Sequence, residues 1–380
     1  MNRHKFSDIT YNITEKKMPV SGDEKLYIGL EHLDSGNLKI TRWGSDIELK
    51  GQKLVMKKGD ILFGRRNTYL RRVAIAPHDG IFSAHGMIFR PKTDIVNPDF
   101  FPFFLSSDYF MNEAIRISVG SLSPTVNWGT LKNLEFDLPS IQEQQQFGKI
   151  LWAMERVKNA YIELFNKTDD LVKSRFVEMF GDPVENPMNW PTKSLLQLGS
   201  CKNGMNFHSN DSGVEINCLG VGDFKDNDVI TETHNLPFIS LNAIPPNDYL
   251  LKDGDIVFVR SNGNKTMVGR SVIVFPNNNP TSFSGFCIRF RKTDESINVL
   301  FLIRVLKTES IRKQMYGRGA NIQNLNQKTL ASINIPIPPI ELQKRYITFV
   351  QQADKSKFAA QQALKEIINS QKALMKKIFV

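Results

Sequence analysis

The sequence is poor in cysteine, and the few it has form no disulfide framework. Its three cysteines are Cys201, Cys218 and Cys287, an odd number with no CxxC pair among them. Disulfide-stabilised domains carry even sets of cysteines and occur in oxidising compartments. The cysteine usage therefore predicts a protein of a reducing compartment.

Long apolar runs are also missing. No run approaches the roughly 18 residues that span a bilayer, and the opening segment "MNRHKFSDITYNITEKK" lacks the apolar core of a signal peptide. We therefore expect a soluble, cytoplasmic chain with no membrane segment. Apolar residues still make up 41% of the 380 residues, which is enough for the cores of two or three domains.

Acidic residues are outnumbered by basic ones. The chain has 39 Asp and Glu against 49 Lys and Arg, a formal charge of +10. Such a balance favours a polyanionic partner, either nucleic acid or an anionic membrane surface. A basic surface with no specific partner stays possible on charge alone.

What the sequence does contain is an internal repeat. "KKGDILFGRR" (57–66) returns as "LKDGDIVFVRS" (251–261), so that Gly59 and Asp60 correspond to Gly254 and Asp255. "YIGLEHL" (27–33) likewise matches "CLGVGDF" (218–224), and the segment 119–147 matches 318–346. Three anchors in the same order at a nearly constant offset indicate a duplication.

Both halves have the same internal order. Short β-like runs bounded by Gly, Pro, Asn and Asp come first. One helix is predicted over roughly 98–118 and another over 297–316. A proline-marked exit then opens a long polar segment without internal proline, 140–180 in one half and 339–380 in the other.

The two long segments show apolar or small residues at alternating spacings of three and four, which favours coiled-coil packing. We expect the two seams to pair with each other in an antiparallel arrangement. The first predicted seam is Phe147, Ile150, Met154, Val157, Tyr161, Leu164, Thr168 and Leu171. The second is Tyr346, Phe349, Ala353, Ser356, Ala360, Ala363, Ile367, Ser370 and Leu374.

The predicted fold is α+β, with two similar α/β domains separated by two long helices that pack as an antiparallel coiled coil with pseudo-twofold symmetry. The junction "FGDPVENPMNWPTK" (180–193) marks the boundary after the first helix. The predicted limits are a first domain at 1–138, a helix at 139–180, a second domain at 181–337 and a helix at 338–380.

This pattern resembles the specificity subunit of type I restriction–modification systems, over essentially the whole chain. The duplicated GDI phrase, the junction and the exits "FDLPSIQEQQQ" (136–146) and "IPIPPIELQ" (335–343) carry the resemblance. It implies a non-catalytic subunit in which two target-recognition domains each read one half of a split, asymmetric sequence in double-stranded DNA. It also implies that the long helices space these domains and recruit methyltransferase subunits, two for each specificity subunit, and through them restriction subunits.

Motifs for catalysis are lacking. "NPDF" (97–100) departs from the N-P-P-F signature of DNA adenine methyltransferases at Asp99, and "GRGAN" (317–321) has neither P-loop nor dinucleotide-fold context. The six histidines show no zinc-ligand spacing. We therefore expect no metal and no cofactor in this chain; the resemblance places S-adenosylmethionine on the partner methyltransferases.

The candidate DNA-binding residues form two sets in each half. Mixed Arg and Asn loops suit base reading, since Arg pairs with guanine and Asn with adenine, whereas Lys and other Arg residues hold phosphates. After the GDI phrases these residues are Arg65, Arg66, Asn67, Tyr69, Arg71 and Arg72, then Arg260, Ser261, Asn262, Asn264, Lys265 and Arg270. Before the exits they are Ser121, Ser123 and Asn127, then Arg318 and Asn321.

Other interpretations stay open. Both basic loops could be solvated hairpins, and the loops before the exits could serve ordinary turn and capping chemistry. The whole chain could be a duplicated coiled-coil scaffold whose domains bind protein. A self-sufficient restriction enzyme would need catalytic motifs that the sequence lacks.

Overall fold

The computed structural model describes residues 1–207, 212–224, 228–315 and 324–379. Its internal contacts divide the chain into two units. The first unit is Met1–Phe165 with Ala359–Val380, and the second unit is Asn166–Phe358. Each long helix therefore contributes one part to each unit. The predicted limits at 138, 180 and 337, which treat the helices as separate spacers, stay a prediction.

The first unit is an α/β unit with three small sheets. Strands β2, β9, β6 and β7 form one antiparallel sheet, β3, β5, β8 and β4 form a second with β4 parallel to β8, and β1 pairs with β10. The strands are β1 (Asn2–Lys5), β2 (Thr10–Ile13), β3 (Lys16–Lys17), β4 (Tyr27–Ile28), β5 (Lys53–Met56), β6 (Ile61–Phe63), β7 (Val73–Ile75), β8 (Gly80–Phe82), β9 (Met87–Pro91) and β10 (Glu135–Leu138). The helices are α1 (Phe6–Ile9), α2 (Phe101–Ser106), α3 (Asp108–Arg116), α4 (Trp128–Leu131) and the long α5 (Ile141–Phe180).

The second unit repeats this arrangement. Strands β12, β19, β16, β17 and β14 form one sheet, β15, β13 and β18 form another with β13 parallel to β18, and β11 pairs with β20. The strands are β11 (Thr192–Ser194), β12 (Gly199–Asn203), β13 (Val214–Leu219), β14 (Val229–Ile230), β15 (Phe238–Leu241), β16 (Asp255–Val259), β17 (Ser271–Val274), β18 (Thr281–Phe283), β19 (Cys287–Lys292) and β20 (Asn334–Pro336). The helices are α6 (Val299–Leu306), α7 (Glu309–Met315), α8 (Gln327–Ala331) and the long α9 (Ile340–Ile378).

The repeated GDI phrase begins the central strand of each main sheet, as the sequence predicts. Gly59 and Gly254 take φ of 89° and 84°, a left-handed conformation that favours glycine. The aspartate that follows is buried and accepts two hydrogen bonds from one arginine of the neighbouring strand. These distances are 2.5 and 2.9 Å from Arg90 to Asp60, and 2.8 and 2.7 Å from Arg291 to Asp255. The phrase is therefore a structural element that joins two strands.

The exits into the long helices also repeat in atomic detail. The buried side chains of Gln144 and Gln343 each accept a backbone N–H, from Asn97 and Asn298 respectively, both at 2.8 Å. Each amide group also donates to the carbonyl of a proline at the helix entry. Buried polar groups need such partners, so the glutamines fix the direction in which each long helix leaves its sheet.

The predicted single helices at 98–118 and 297–316 are wrong, because each is broken into two. Helix α2 ends at Ser106, and Ser107 has extended backbone and caps α3 by accepting the N–H of Phe110. A hydroxyl at this position satisfies an N–H that would otherwise lack a partner at the start of a helix. In the second unit α6 ends at Leu306 and α7 starts at Glu309.

Within each unit, parts of the two long helices pack against each other in opposite directions. In the first unit Gln371 Nε2 of α9 donates to Glu155 Oε2 of α5 at 3.2 Å, and Leu374 and Ile378 of α9 join the apolar cluster that contains Phe147 and Leu151 of α5. In the second unit Lys357 pairs with Asp169 at 2.5 Å, and Tyr346 packs on Phe176 with ring centres 5.5 Å apart. The predicted antiparallel helix pairing is thus confirmed inside each unit; the pseudo-twofold relation stays a prediction.

The first predicted seam is wrong at four of its eight positions. Its members Ile150, Val157, Leu164 and Leu171 are between 44% and 56% exposed. Between 147 and 172 the buried positions are Gly148, Leu151, Glu155, Lys158 and Val172, each one residue after a predicted member. The remaining predicted members, Phe147, Met154, Tyr161 and Thr168, are half-buried. The exposed side of helix α5 therefore carries an apolar residue at every seventh position.

The second predicted seam agrees with the structure at most of its positions. Tyr346, Ala353 and Ala360 are buried, and Phe349, Ala363, Ile367 and Leu374 are half-buried. Ser356 and Ser370 are exposed. Small alanines at this seam allow close helix approach. In the parts of the chain described, no helix has both the length and the apolar character needed to cross a membrane.

Candidate nucleic-acid interface

In the first unit, the two predicted DNA-binding loops form one surface. The β6–β7 loop (64–72) and the loop before the exit (118–127) are joined by backbone hydrogen bonds. Val126 donates its N–H to the carbonyl of Arg65 at 3.0 Å, and Asn67 donates to the carbonyl of Pro124 at 2.8 Å. Arg66 Nη2 also donates to Ser123 Oγ at 3.3 Å. Residues far apart in sequence thus meet at the ends of the same sheet.

The second unit contains the same junction. Leu325 donates its N–H to the carbonyl of Arg260 at 2.8 Å, and Ser261 forms a β-bridge with Asn324. Arg65 and Arg260 are equivalent in the repeat, as are Val126 and Leu325. Both units therefore hold a basic loop against the loop that precedes the long helix.

Within the first interface the predicted residues differ in availability. Arg66, Tyr69, Ser121 and Asn127 are exposed, whereas Arg65 and Asn67 are half-buried. Asn67 has φ of 55°, a left-handed conformation that is uncommon for residues other than glycine. Arg65 Nε and Asn67 Oδ1 are buried, and neither has a hydrogen-bond partner within the described part of the chain. Buried polar groups in proteins are nearly always hydrogen-bonded, so this donor and this acceptor are exceptions among the described residues.

Arg71 and Arg72 have contacts inside the unit. Arg71 donates to Asp108 and, at 2.6 Å, to Asn112, both on α3. The side chain of Arg72 lies against Gly64, where an added Cβ would be 3.0 Å from Arg72 Cβ. These contacts give both arginines a role in holding the loop; contact with DNA stays a prediction for them.

In the second interface, two of the predicted asparagines shape their own loop. Asn262 Oδ1 accepts the N–H of Asn264 at 2.8 Å, and Asn264 Oδ1 accepts the N–H of Thr266 at 3.0 Å. Since a bidentate contact to adenine uses the amide oxygen, these bonds weaken the case for adenine reading by both residues. Lys265 is exposed at the loop tip, and Ser261 and Arg270 are half-buried. Arg318 and Asn321 lie outside the described residues.

A third loop, which the sequence analysis missed, belongs to each interface. It is the turn between β8 and β9 in the first unit and between β18 and β19 in the second, with His85 and Phe286 at its tip. Arg260 donates its N–H to the carbonyl of Phe286 at 2.7 Å. The aligned segments "FSAHG" (82–86) and "FSGFC" (283–287) contained this signal, but only strand pairing brings the turn beside the basic loop.

The three cysteine thiols are largely shielded from solvent. Burial raises the pKa of Cys201 and Cys218 to about 12, and it also raises the pKa of Cys287. All three thiols therefore stay protonated and unreactive at neutral pH. Among the residues that the structure describes, no group of three or more His, Cys, Asp or Glu could hold a metal ion.

Comparison with known proteins agrees with this geometry. The family model of the type I restriction modification DNA specificity domain matches residues 12–167 and again residues 189–370. The chain therefore belongs to this family, and it is a type I restriction–modification specificity subunit that recognises DNA sequence. Specificity subunits are non-catalytic, which confirms the prediction that this chain is not an enzyme.

Two curated relatives are similar over most of the chain. The MjaVIII specificity subunit of Methanocaldococcus jannaschii is 24% identical over 96% of this chain and 90% of its own length. The StySPI specificity subunit of Salmonella potsdam is 23% identical over 80% of this chain and 69% of its own length. The predicted family resemblance is thus confirmed.

Solved structures share the fold. The specificity subunit of M. genitalium superposes with a TM-score of 0.59 at 14% identity, covering 100% of this chain and 96% of that one. A chain from a solved type I restriction–modification system gives 0.61 at 19% identity, covering 100% and 97%. The predicted fold of two similar α/β domains with two long helices is confirmed.

Proposed function

We propose that this subunit reads a bipartite, asymmetric target in double-stranded DNA, with one half-site bound by the interface of each unit. The observation that carries the proposal is that both units repeat one backbone junction but present different side chains on it. The first interface offers Arg66, Tyr69 and Ser123, and the second offers Arg260, Ser261 and Lys265. Different side chains on one scaffold read different base sequences.

The charge of the chain supports this reading. A formal charge of +10 favours association with the phosphate backbone, and each phosphate neutralised releases counterions. Exposed Arg66 and Lys265 suit phosphate contacts, which set position without reading sequence. Arg65 and Arg260, held by backbone bonds in both loops, suit base contacts.

The long helices support a second part of the proposal, the recruitment of methyltransferase subunits. Ile150 and Val157 are apolar, exposed and seven residues apart within the first unit. Such a spacing fits a partner helix packing against α5. We infer two methyltransferase subunits for each chain, carrying S-adenosylmethionine, and restriction subunits that join through them in the cytoplasm.

The test is to reconstitute the chain with its methyltransferase subunits and to sequence methylated DNA from a host or a random library. The expected product is one modified adenine on each strand of a split motif with unrelated halves. The chain alone should bind DNA with a steep salt dependence and should methylate nothing. Methylation by the chain alone, or a palindromic motif, would contradict the proposal.

A duplicated scaffold that binds only protein is separated from this proposal by two substitutions. Arg65→Ala and Arg260→Ala should each weaken or relax DNA recognition while leaving methyltransferase binding intact. A scaffold would show no change in either measurement. Asp substitutions at Ile150 and Val157 should give the reverse pattern, because these side chains face away from the helix pairing.

A further inference from the structure

The turn tips His85 and Phe286 occupy equivalent positions in the two units. Ser83 Oγ accepts the N–H of His85 at 3.3 Å, and Ser284 Oγ accepts the N–H of Phe286 at 3.2 Å. In both turns the serine carbonyl accepts the N–H of the residue after the tip, at 3.0 and 2.8 Å. The turn is therefore one frame that carries an imidazole in one unit and a phenyl ring in the other.

In the second unit this frame is tied to the basic loop. Pairing of Val259 with Cys287 in the sheet places Arg260 opposite Phe286. The carbonyl of Phe286 accepts N–H groups from Arg260 and Ser261 at 2.7 and 3.3 Å. Arg260 Nη1 also donates to the carbonyl of Gly285 at 3.3 Å. These bonds fix the backbone that carries Phe286 beside the guanidinium group of Arg260.

The ring of Phe286 is 61% exposed in that polar setting. Single exposed apolar residues are common on protein surfaces, so exposure alone decides nothing. What distinguishes Phe286 is its position: it lies among residues already expected to contact bases, on a backbone fixed by five hydrogen bonds shared between two loops and a serine cap. An apolar group held there fits an apolar feature of the bound DNA.

The first interface presents its large apolar side chain from a different loop. Leu122 is 95% exposed, between Ser121 and Ser123, and Arg66 donates to Ser123. The alignment of the halves places Asn321 opposite Leu122; Asn321 lies outside the described residues. Among the described residues, the most exposed apolar side chain of each interface is therefore Leu122, on the loop before the exit in the first unit, and Phe286, on the β18–β19 turn in the second.

The base edges in the major groove offer one apolar group, the 5-methyl of thymine. We propose that Phe286 and Leu122 are specificity-determining residues, each contacting a thymine 5-methyl group in the half-site read by its own unit. This inference rests on the proposed function and adds the chemical group recognised. It also predicts that the thymine lies at different places in the two half-sites, because different loops reach it.

The test uses the chain reconstituted with its methyltransferase subunits and DNA carrying the wild-type motif. Phe286→Ala should relax the motif at one A·T pair of the second half-site and leave the first unchanged, and Leu122→Ala should do the reverse. Replacing that thymine by deoxyuracil should weaken wild-type binding about fourfold, the effect of withdrawing one methyl group from burial. The matching Ala variant should be insensitive to the replacement.

Two controls separate this effect from a loss of folding. Ile244→Ala and Ile47→Ala remove exposed apolar side chains from other loops of the second and first unit. They should leave motif and affinity unchanged. Phe286→His, which installs the residue of the first unit on the same turn, should keep the melting temperature and change only the second half-site.

The outcomes distinguish the inference from the function on which it rests. If the wild-type complex methylates no split motif, the proposed function fails. If the motif is split but both Ala variants keep it, or a half-site has no invariant A·T pair, the methyl contact is refuted. A third measurement uses the fluorescence of 2-aminopurine placed beside the target, which reports unstacking of the bases. If the wild-type complex unstacks the bases, Phe286→Ala abolishes the signal and deoxyuracil leaves it unchanged, then Phe286 inserts between bases. That result would also refute the methyl contact.

Discussion

The β6–β7 loop of the first unit and the β16–β17 loop of the second leave their sheets at equivalent points, yet different side-chain contacts hold the two loops in place. The first loop is held by side chains, with Arg71 bonded to Asp108 and Asn112 on α3. The second is shaped from within by its own asparagines, Asn262 and Asn264, and Arg312 of α7 donates to the carbonyl of Thr266 at 3.1 Å. In both units, nevertheless, the backbone carbonyl of the equivalent arginine, Arg65 or Arg260, accepts an N–H from the loop before the exit.

This difference shows which parts of the two repeated units can vary. The parts that recur are those whose loss would leave buried polar groups without partners: the aspartate–arginine pairs and the glutamines at the helix entries. Removing one partner from such a group costs far more than changing an exposed side chain. Loop side chains carry no such penalty, so the two halves can present different chemistry on one frame.

The largest expected effect is on the aspartate–arginine pair that both units share. Asp255→Ala leaves Arg291 without its two carboxylate bonds in a sheet interior, and it should lower the free energy of unfolding of the second unit by about 3 to 5 kcal/mol. Asp60→Ala should do the same to the first unit, less strongly because Arg90 is more exposed than Arg291. Urea denaturation checks both. Equal and negligible losses would show that the repeated phrase is not structural.

A smaller effect is expected from two neighbouring residues on α5. Leu151 is fully buried and Ile150 is 46% exposed. Leu151→Ala should cost about 2 to 5 kcal/mol of stability, whereas Ile150→Ala should cost less than about 0.5 kcal/mol. Thermal or urea unfolding of the isolated chain measures this. If Ile150→Ala were the more costly change, the seam first predicted from sequence would be the true one.

The next effect concerns the interfaces. Arg65→Ala and Arg260→Ala should each weaken binding to the specific target by about 1 to 3 kcal/mol and relax one position in one half-site. Arg3→Ala and Arg175→Ala remove the same charge from ion-paired surface positions and serve as controls. Fluorescence anisotropy at fixed salt gives the affinities. Equal losses in all four variants would mean that only net charge matters.

The smallest expected effect is on the rate at which the cysteines are alkylated, a rate that reports on the second unit alone. All three cysteines lie in the second unit, and burial raises the pKa of Cys201 and Cys218 to about 12. With pKa values this far above 8, the thiols stay protonated at pH 8 and should resist alkylation in the folded chain. Asp255→Ala should accelerate labelling and Asp60→Ala should not. Rapid labelling of the native chain would contradict the burial.

Much of this organisation could be predicted from the sequence. The repeat, the GDI strands and the proline-marked helix starts follow from local rules of periodicity and turn chemistry. The first seam could not be placed, because α5 has two candidate stripes and the buried one contains Glu155 and Lys158. Those two residues pair with each other at 2.7 Å while almost fully buried, so apolar periodicity pointed to the exposed face.

The candidate interface residues likewise fall into those that the sequence could predict and those that it could not. Arg65 and Arg260 could be found from their matching positions, and so could the loops that precede the exits. The role of His85 and Phe286 could not, since strand pairing sets which turn lies beside which loop. Pairing in a sheet joins residues distant in sequence, and no local pattern encodes that distance.

The sequence by itself determined that this chain is built twice, that each half ends in a long helix, and that its charge suits a polyanion. These properties depend on composition and on neighbours along the chain. Only the tertiary structure decided which face of α5 is buried and which three loops form each interface. Both depend on hydrogen bonds and packing between segments that are distant in sequence. These contacts form, and contribute to stability, only when the units fold.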